Sequence, residues 1–168
     1  FEAGQLRLEE GTWRGDFEQI SRVPLPLPTA MRDLIRARVN RLSEVHQEAL
    51  RLAAVLGVSF DFAPLHRAWG PDIEDTLQAL DAMLQRRLVE EGRGVAERDY
   101  VFTHHKIQEI IYRDLSRRRR QYLHGRVGTA LEALYGGEAD ARAGELAHHF
   151  DQGRRVDGGL TDKAVHYM

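Results

Sequence analysis

Cysteine is absent from this 168-residue sequence. That excludes a disulfide framework, a thiolate zinc site and a cysteine nucleophile, and a reducing compartment is fully compatible with it. Long apolar runs are missing too. No stretch reaches the roughly 20 residues needed to cross a bilayer as a helix, so no membrane role is expected and a cytoplasmic setting fits best. There is little excess of either charge: the formal net charge is −2, which gives no overall pull toward nucleic acid or an anionic surface. Proline is scarce, and three of the five prolines are Pro24, Pro26 and Pro28, in one extended run that reads as a boundary. The opening residue, Phe1, is not an initiator methionine and no secretory leader follows it, so the chain is expected to be part of a longer one.

What remains is an ordinary folded composition, 42% hydrophobic and 30% charged, with a predominantly helical pattern. Residues 1–28 read as a lead-in. Thr29 is a candidate cap for a helix carrying Met31, Leu34, Ile35, Val39 and Leu42 on one face, and Ser43 caps a second with Val45, Ala49, Leu52, Ala53 and Leu56, ending at Gly57. Asp61 is placed to cap a short helix through Trp69. The next helix carries Ile73, Leu77, Leu80, Leu84 and Leu88. The period then changes: Arg87 to Glu91 and Tyr100 to Thr103 read as two short strands, with the loop from Gly92 to Asp99 between them. Helices followed by one hairpin predict a mainly α fold, a winged helix over residues 29–115 with that loop as its wing. Ile107, Ile110, Ile111 and Leu115 mark a helix, and Ser116 caps a longer one to Tyr135. Ala143, Leu146, Ala147 and Phe150 mark another, and Leu160 begins a last one. Residues 116–168 therefore predict antiparallel helices with small residues at packing positions, the start of a tetratricopeptide-like repeat region.

Motifs that carry chemistry are few. The phosphate cradle GxxxxGK[ST] does not occur, and Gly92-Arg-Gly94 lacks the third glycine of a dinucleotide fingerprint. His104-His105 and His148-His149 are adjacent pairs, whose side chains diverge by about 100° on a helix, so neither suits a shared metal and no metal site is assigned. One of His148 and His149 is expected to be partly buried and the other solvated. Ser43 and Ser116 are explained by capping, and no GxSxG elbow or paired-acid cleft emerges. No catalytic residue is assigned. Arg117 to Arg120 form the strongest candidate for phosphate contacts, but four successive residues wind around a helix instead of forming a stripe. Direct DNA reading would use the helix from Asp72 to Leu88, whose start carries Asp72, Glu74 and Asp75 and would repel phosphate.

Several segments in order resemble the region just after the ATPase core of bacterial STAND proteins, signal-transduction ATPases with numerous domains that include LuxR-type regulators and cyclase- or kinase-linked relatives. These are LPTAMRDLIRARVNRLS from Leu27 to Ser43, LAAVLG from Leu52 to Gly57 with Phe60-Asp61, YVFTH from Tyr100 to His104, QEIIY from Gln108 to Tyr112, and RRQYLH from Arg119 to His124. The resemblance runs from about Leu25 to Phe150. It implies a winged helix packed in cis against an upstream NTPase domain, followed by tetratricopeptide-like repeats that meet a protein partner. It also implies a parent protein using ATP or ADP with Mg, while this fragment itself carries no cofactor. In the family the histidine of a Phe-x-His motif reaches the β-phosphate of bound ADP, and His104 matches that position. The following residue, commonly aspartate there, is His105 here. Physically, a histidine at a strand-to-helix junction lies near free N–H groups and a dipole that favours anions, and if protonated it adds a charge-assisted bond. The same position also suits a helix cap or packing at the hairpin. Arg119, Arg120 and His124 are expected to serve inter-helix packing and surface charge. The chain is thus expected to be a non-catalytic regulatory module coupling nucleotide state to the repeats in signal transduction. A winged-helix DNA-binding module of a transcription regulator and a plain helical interaction scaffold are the alternatives.

Overall fold

A computed structural model describes residues 7–9, 12–14, 29–70, 72–92, 98–154 and 159–168. The proline run and most of the lead-in lie outside the described residues, as does the centre of the expected wing, residues 93–97. The chain divides into a unit from Phe1 to Arg32 and a unit from Asp33 to Met168. In the first, β1 (Arg7–Glu9) and β2 (Thr12–Arg14) pair antiparallel with Leu8 opposite Trp13. Helix α1 (Thr29–Val39) starts in that unit and ends in the second.

The second unit is built around α2 (Glu44–Leu56). Ser43 caps it as expected, its hydroxyl accepting from the His46 N–H at 3.2 Å, and Glu44 in the first turn complements the helix dipole. Ala49, Leu50 and every residue from Leu52 to Val55 are buried, an arc too wide for a surface helix, so α2 is covered on several sides. It stops at Gly57, whose φ of 138° a side chain would strain. Not all of the expected stripes face inward: Leu34 is 54% and Val45 62% exposed.

Strand β3 (Ser59–Phe60) follows, then α3 (Phe62–Trp69) and α4 (Ile73–Gln85), then β4 (Val89–Glu91) and β5 (Tyr100–Phe102). The three strands form an antiparallel sheet in the order β3-β5-β4, with Phe60 opposite Tyr100 and Val89 opposite Phe102. Phe60 is buried with its ring 5.7 Å from Tyr100 and 5.9 Å from Phe102. Asp61 holds the cap position of α3 but makes no cap bond. Its carboxylate instead pairs with Arg98 at 2.6 Å and accepts from the Asp99 N–H at 3.1 Å, and Asp99 in return accepts from the Phe62 N–H at 2.9 Å. The start of α3 is thereby tied to the end of the β4–β5 loop. Asp72 does cap α4, accepting from the Glu74 N–H at 3.0 Å. The face that α4 buries is Thr76, Ala79, Leu80 and Met83: of the stripe read from the sequence Leu80 is buried, as is Leu88 just past the helix, whereas Ile73 and Leu77 are 55% and 41% exposed. Thr76 is admissible in that face because its hydroxyl bonds the Asp72 carbonyl and the His66 ring.

Helix α5 (His105–Asp114) is anchored to α2 by the Gln108 side-chain amide, which donates to the Ala54 carbonyl at 2.7 Å. Ser116 caps α6 (Arg117–Tyr135), accepting from the Arg119 N–H at 3.3 Å. A 3-10 turn (Gly136–Arg142) leads to α7 (Ala143–Gly153), and α8 (Leu160–Tyr167) packs on α7. Helix α6 packs on α3 and α2 as well as on α7. Its buried Leu123, Val127 and Leu131 extend the core of α2 into the C-terminal helices.

Candidate functional site

His104 sits where β5 turns into α5. Its backbone is extended, and its Nδ1 accepts from the Lys106 N–H at 3.1 Å, so it is the N-cap of α5. A nitrogen that accepts a hydrogen bond carries no proton, so the neutral ring in this geometry is protonated at Nε2. His104 and His105 are both exposed, with their rings stacked 4.6 Å apart. The junction thus combines an imidazole Nε2–H donor with a helix N-terminus that favours anions. The cap occupies Nδ1, so the edge of the ring left for a ligand is Nε2.

A second cluster lies between α5, α6 and α7. The Tyr112 hydroxyl is 2.9 Å from His124 Nε2, and His124 Nδ1 is 3.0 Å from His149 Nδ1. His124 and His149 are 2% and 4% exposed, while His148 is exposed with its ring 5.4 Å from that of His124. The pair at 148 and 149 thus divides into one buried and one solvated ring. Two Nδ1 atoms can share a hydrogen bond only if one of them carries the proton. If His124 donates, its Nε2 accepts from the tyrosine O–H; if His149 donates, His124 Nε2–H donates to the tyrosine oxygen. Either neutral arrangement satisfies the whole chain. Burial, followed by the positive potential of His148 and Arg120, holds His124 well below the usual histidine range. Burial, then His124 and His148, does the same for His149. Spacing could not reveal this cluster, because its members are 12 and 25 residues apart along the chain.

The arginine run splits up. Arg119 reaches Glu48 of α2 at 2.5 Å, Arg120 lies over the Tyr112 ring at 5.4 Å, and Arg117 and Arg118 are exposed. Glu48 also faces Arg51 at 3.6 Å and Arg126 at 3.8 Å, and Arg126 donates to the Trp69 carbonyl at 2.6 Å. Two of the four candidate phosphate contacts are therefore engaged in inter-helix packing. Among the described residues no group of three or more His, Asp or Glu side chains could hold a metal ion, and no helix is long and apolar enough to cross a membrane.

No family model and no solved structure matches the chain. An uncharacterized protein of Rhizobium meliloti (strain 1021) is 32% identical over 139 residues, which make up 82% of this chain. The matched segment is 13% of that relative, so the chain corresponds to a small part of a much longer protein.

Proposed function

We propose that this chain is a non-catalytic regulatory module of a STAND-type ATPase, a winged helix followed by the first helices of a tetratricopeptide-like region, in which His104 senses the phosphate of ADP bound to an upstream NTPase domain. The observation that carries this is the cap at His104. By occupying Nδ1, the Lys106 N–H orients an exposed ring and assigns its proton to Nε2, the edge available to an anion at the start of α5. The order helix, strand, two helices, two strands, with β5 between β3 and β4, supports the winged-helix part. Helices α6, α7 and α8, each packed on the next, support the repeat part. The match to a short segment of a long relative fits a module within a multidomain chain. A switch of this kind acts only if nucleotide binds the two domain arrangements differently.

The test separates capping from sensing. ADP content and ADP release are measured in the longer parent protein for the natural residue, His104→Ala and His104→Asn. Asparagine is a good cap but lacks the imidazole Nε2–H. Faster ADP release in both variants, with the stability lost in His104→Ala restored in His104→Asn, supports the sensor. Full retention of ADP by His104→Asn assigns His104 to capping alone. A parent that never binds nucleotide overturns the proposal as a whole.

A further inference from the structure

We propose that the face between the first half of α4 and the β4–β5 side of the sheet docks an amphipathic protein segment bearing lysine or arginine. Ile73 and Leu77 are 55% and 41% exposed on a helix whose opposite side is fully packed. Together with Phe62 and Tyr100 they line a cleft of about 620 Å³. Leaving two large aliphatic side chains about half in water forgoes part of the free energy of their burial, and nothing in the capping of α4 requires aliphatic residues there.

The surroundings of this apolar floor are acidic. Glu91 and Asp99 line the same cleft, and Asp72, Glu74 and Asp75 open the exposed side of α4. The Tyr100 hydroxyl registers the convergence: after burial, its upward shift comes from Glu91, Asp99 and Asp81. Among the described residues of the cleft lining the one cation, Arg98, is paired with Asp61 at 2.6 Å. Charge then selects the occupant. Phosphate backbones and anionic bilayers are repelled by this rim. A second copy meeting the same face would set acids against acids, as a two-fold contact requires. A segment with aliphatic residues on one side and Lys or Arg beside them satisfies both floor and rim, as in helix-in-groove recognition.

The probe is an 18-residue peptide of leucine and lysine at helical spacing, titrated into the isotope-labelled chain. A leucine and glutamate counterpart and a short DNA duplex are titrated in parallel. The expected result is amide shifts confined to the surroundings of Phe62, Ile73, Leu77 and Tyr100 with the lysine peptide only, weakening as salt rises. Leu77→Ser and Asp81→Lys, both at exposed positions and so compatible with folding, should each weaken the shifts several-fold with an unchanged circular dichroism spectrum. Shifts mapping elsewhere, equal binding of the glutamate peptide, DNA shifting the same residues, or concentration-dependent dimerisation through this face would each overturn the proposal.

Discussion

At the scale of single residues, the buried His124–His149 pair has the clearest consequence. Both groups are held below the ordinary histidine value of about 6.5, so the unfolded chain binds more protons than the native one once pH falls below that value. Stability is therefore fully present above about pH 6.5 and is lost progressively as the pH drops toward the depressed native values. Urea unfolding at a series of pH values should show this slope between about pH 6.5 and 4, and His149→Phe should flatten it. An unchanged slope in that variant would mean that carboxylate titration governs acid unfolding instead. Tyr112→Phe leaves His124 Nε2 without its partner and should cost about 1–2 kcal/mol at neutral pH, the usual penalty for an orphaned buried polar atom. The two effects are measured by the same denaturation curves but differ in their pH dependence: the first grows on acidification, whereas the second is present at pH 7 and above.

At the scale of elements, the crossing of α6 and α7 depends on residues that have no side chain. A Cβ at Gly153 would stand 2.9 Å from the backbone N and Cα of Gly125, and one at Gly128 would stand 2.9 Å from the Phe150 ring. Gly153→Ala should destabilise the chain by about 1–3 kcal/mol, since backbone cannot yield as a side-chain tip can, outweighing a propensity gain of at most about 1 kcal/mol. Gly144→Ala is the control. Nothing lies within 4 Å of its Cβ, and it should be neutral or stabilising in the same thermal melt. The sequence pattern made part of this visible: small residues at packing positions, the caps at Ser43 and Ser116, and the stop at Gly57 were all legible from local chemistry. Strand β3 was not, because two residues have no periodicity and Ser59–Phe60 pairs with a partner some forty residues away. The buried side of α4 was legible only in part, Leu80 being buried as expected, for a related reason. Counting leucines favours Ile73 and Leu77, whereas the fold turns Thr76 and Met83 inward and satisfies the Thr76 hydroxyl locally. Asp61 was legible as a helix start but not as a partner for Arg98 and Asp99, since that pairing spans the β4–β5 loop. Of the candidate site, the strand-to-helix position of His104 was legible, and the residue itself was singled out by the resemblance of its motif. The Tyr112–His124–His149 chain was not, because it exists only once three helices are assembled.

At the scale of the whole molecule, residues 33–168 form one compact unit even though a boundary after Leu115 falls naturally between α5 and α6. The two sides share a core. Leu123, Val127 and Leu131 of α6 are fully buried, Arg126 bonds the Trp69 carbonyl at the end of α3, and Arg119 and Arg126 converge on Glu48 in α2. A chain ending at Leu115 would lose the cover over α2 and α3 and leave Glu48 without two of its three arginines. Truncation should therefore do more than subtract an independent domain. The intact chain is expected to unfold in urea with one transition across residues 33–168, seen at the same midpoint by far-ultraviolet circular dichroism and by Trp69 fluorescence in a Trp13→Phe background. The truncated chain is expected to show a broad, early transition with a reduced slope, because less surface is exposed on unfolding. Two well-separated transitions in the intact chain, with the truncated form retaining the first unchanged, would instead establish that the helices after Ser116 fold independently. That outcome would also remove the physical route by which a change at His104, at the head of α5, could be felt by α6 and α7.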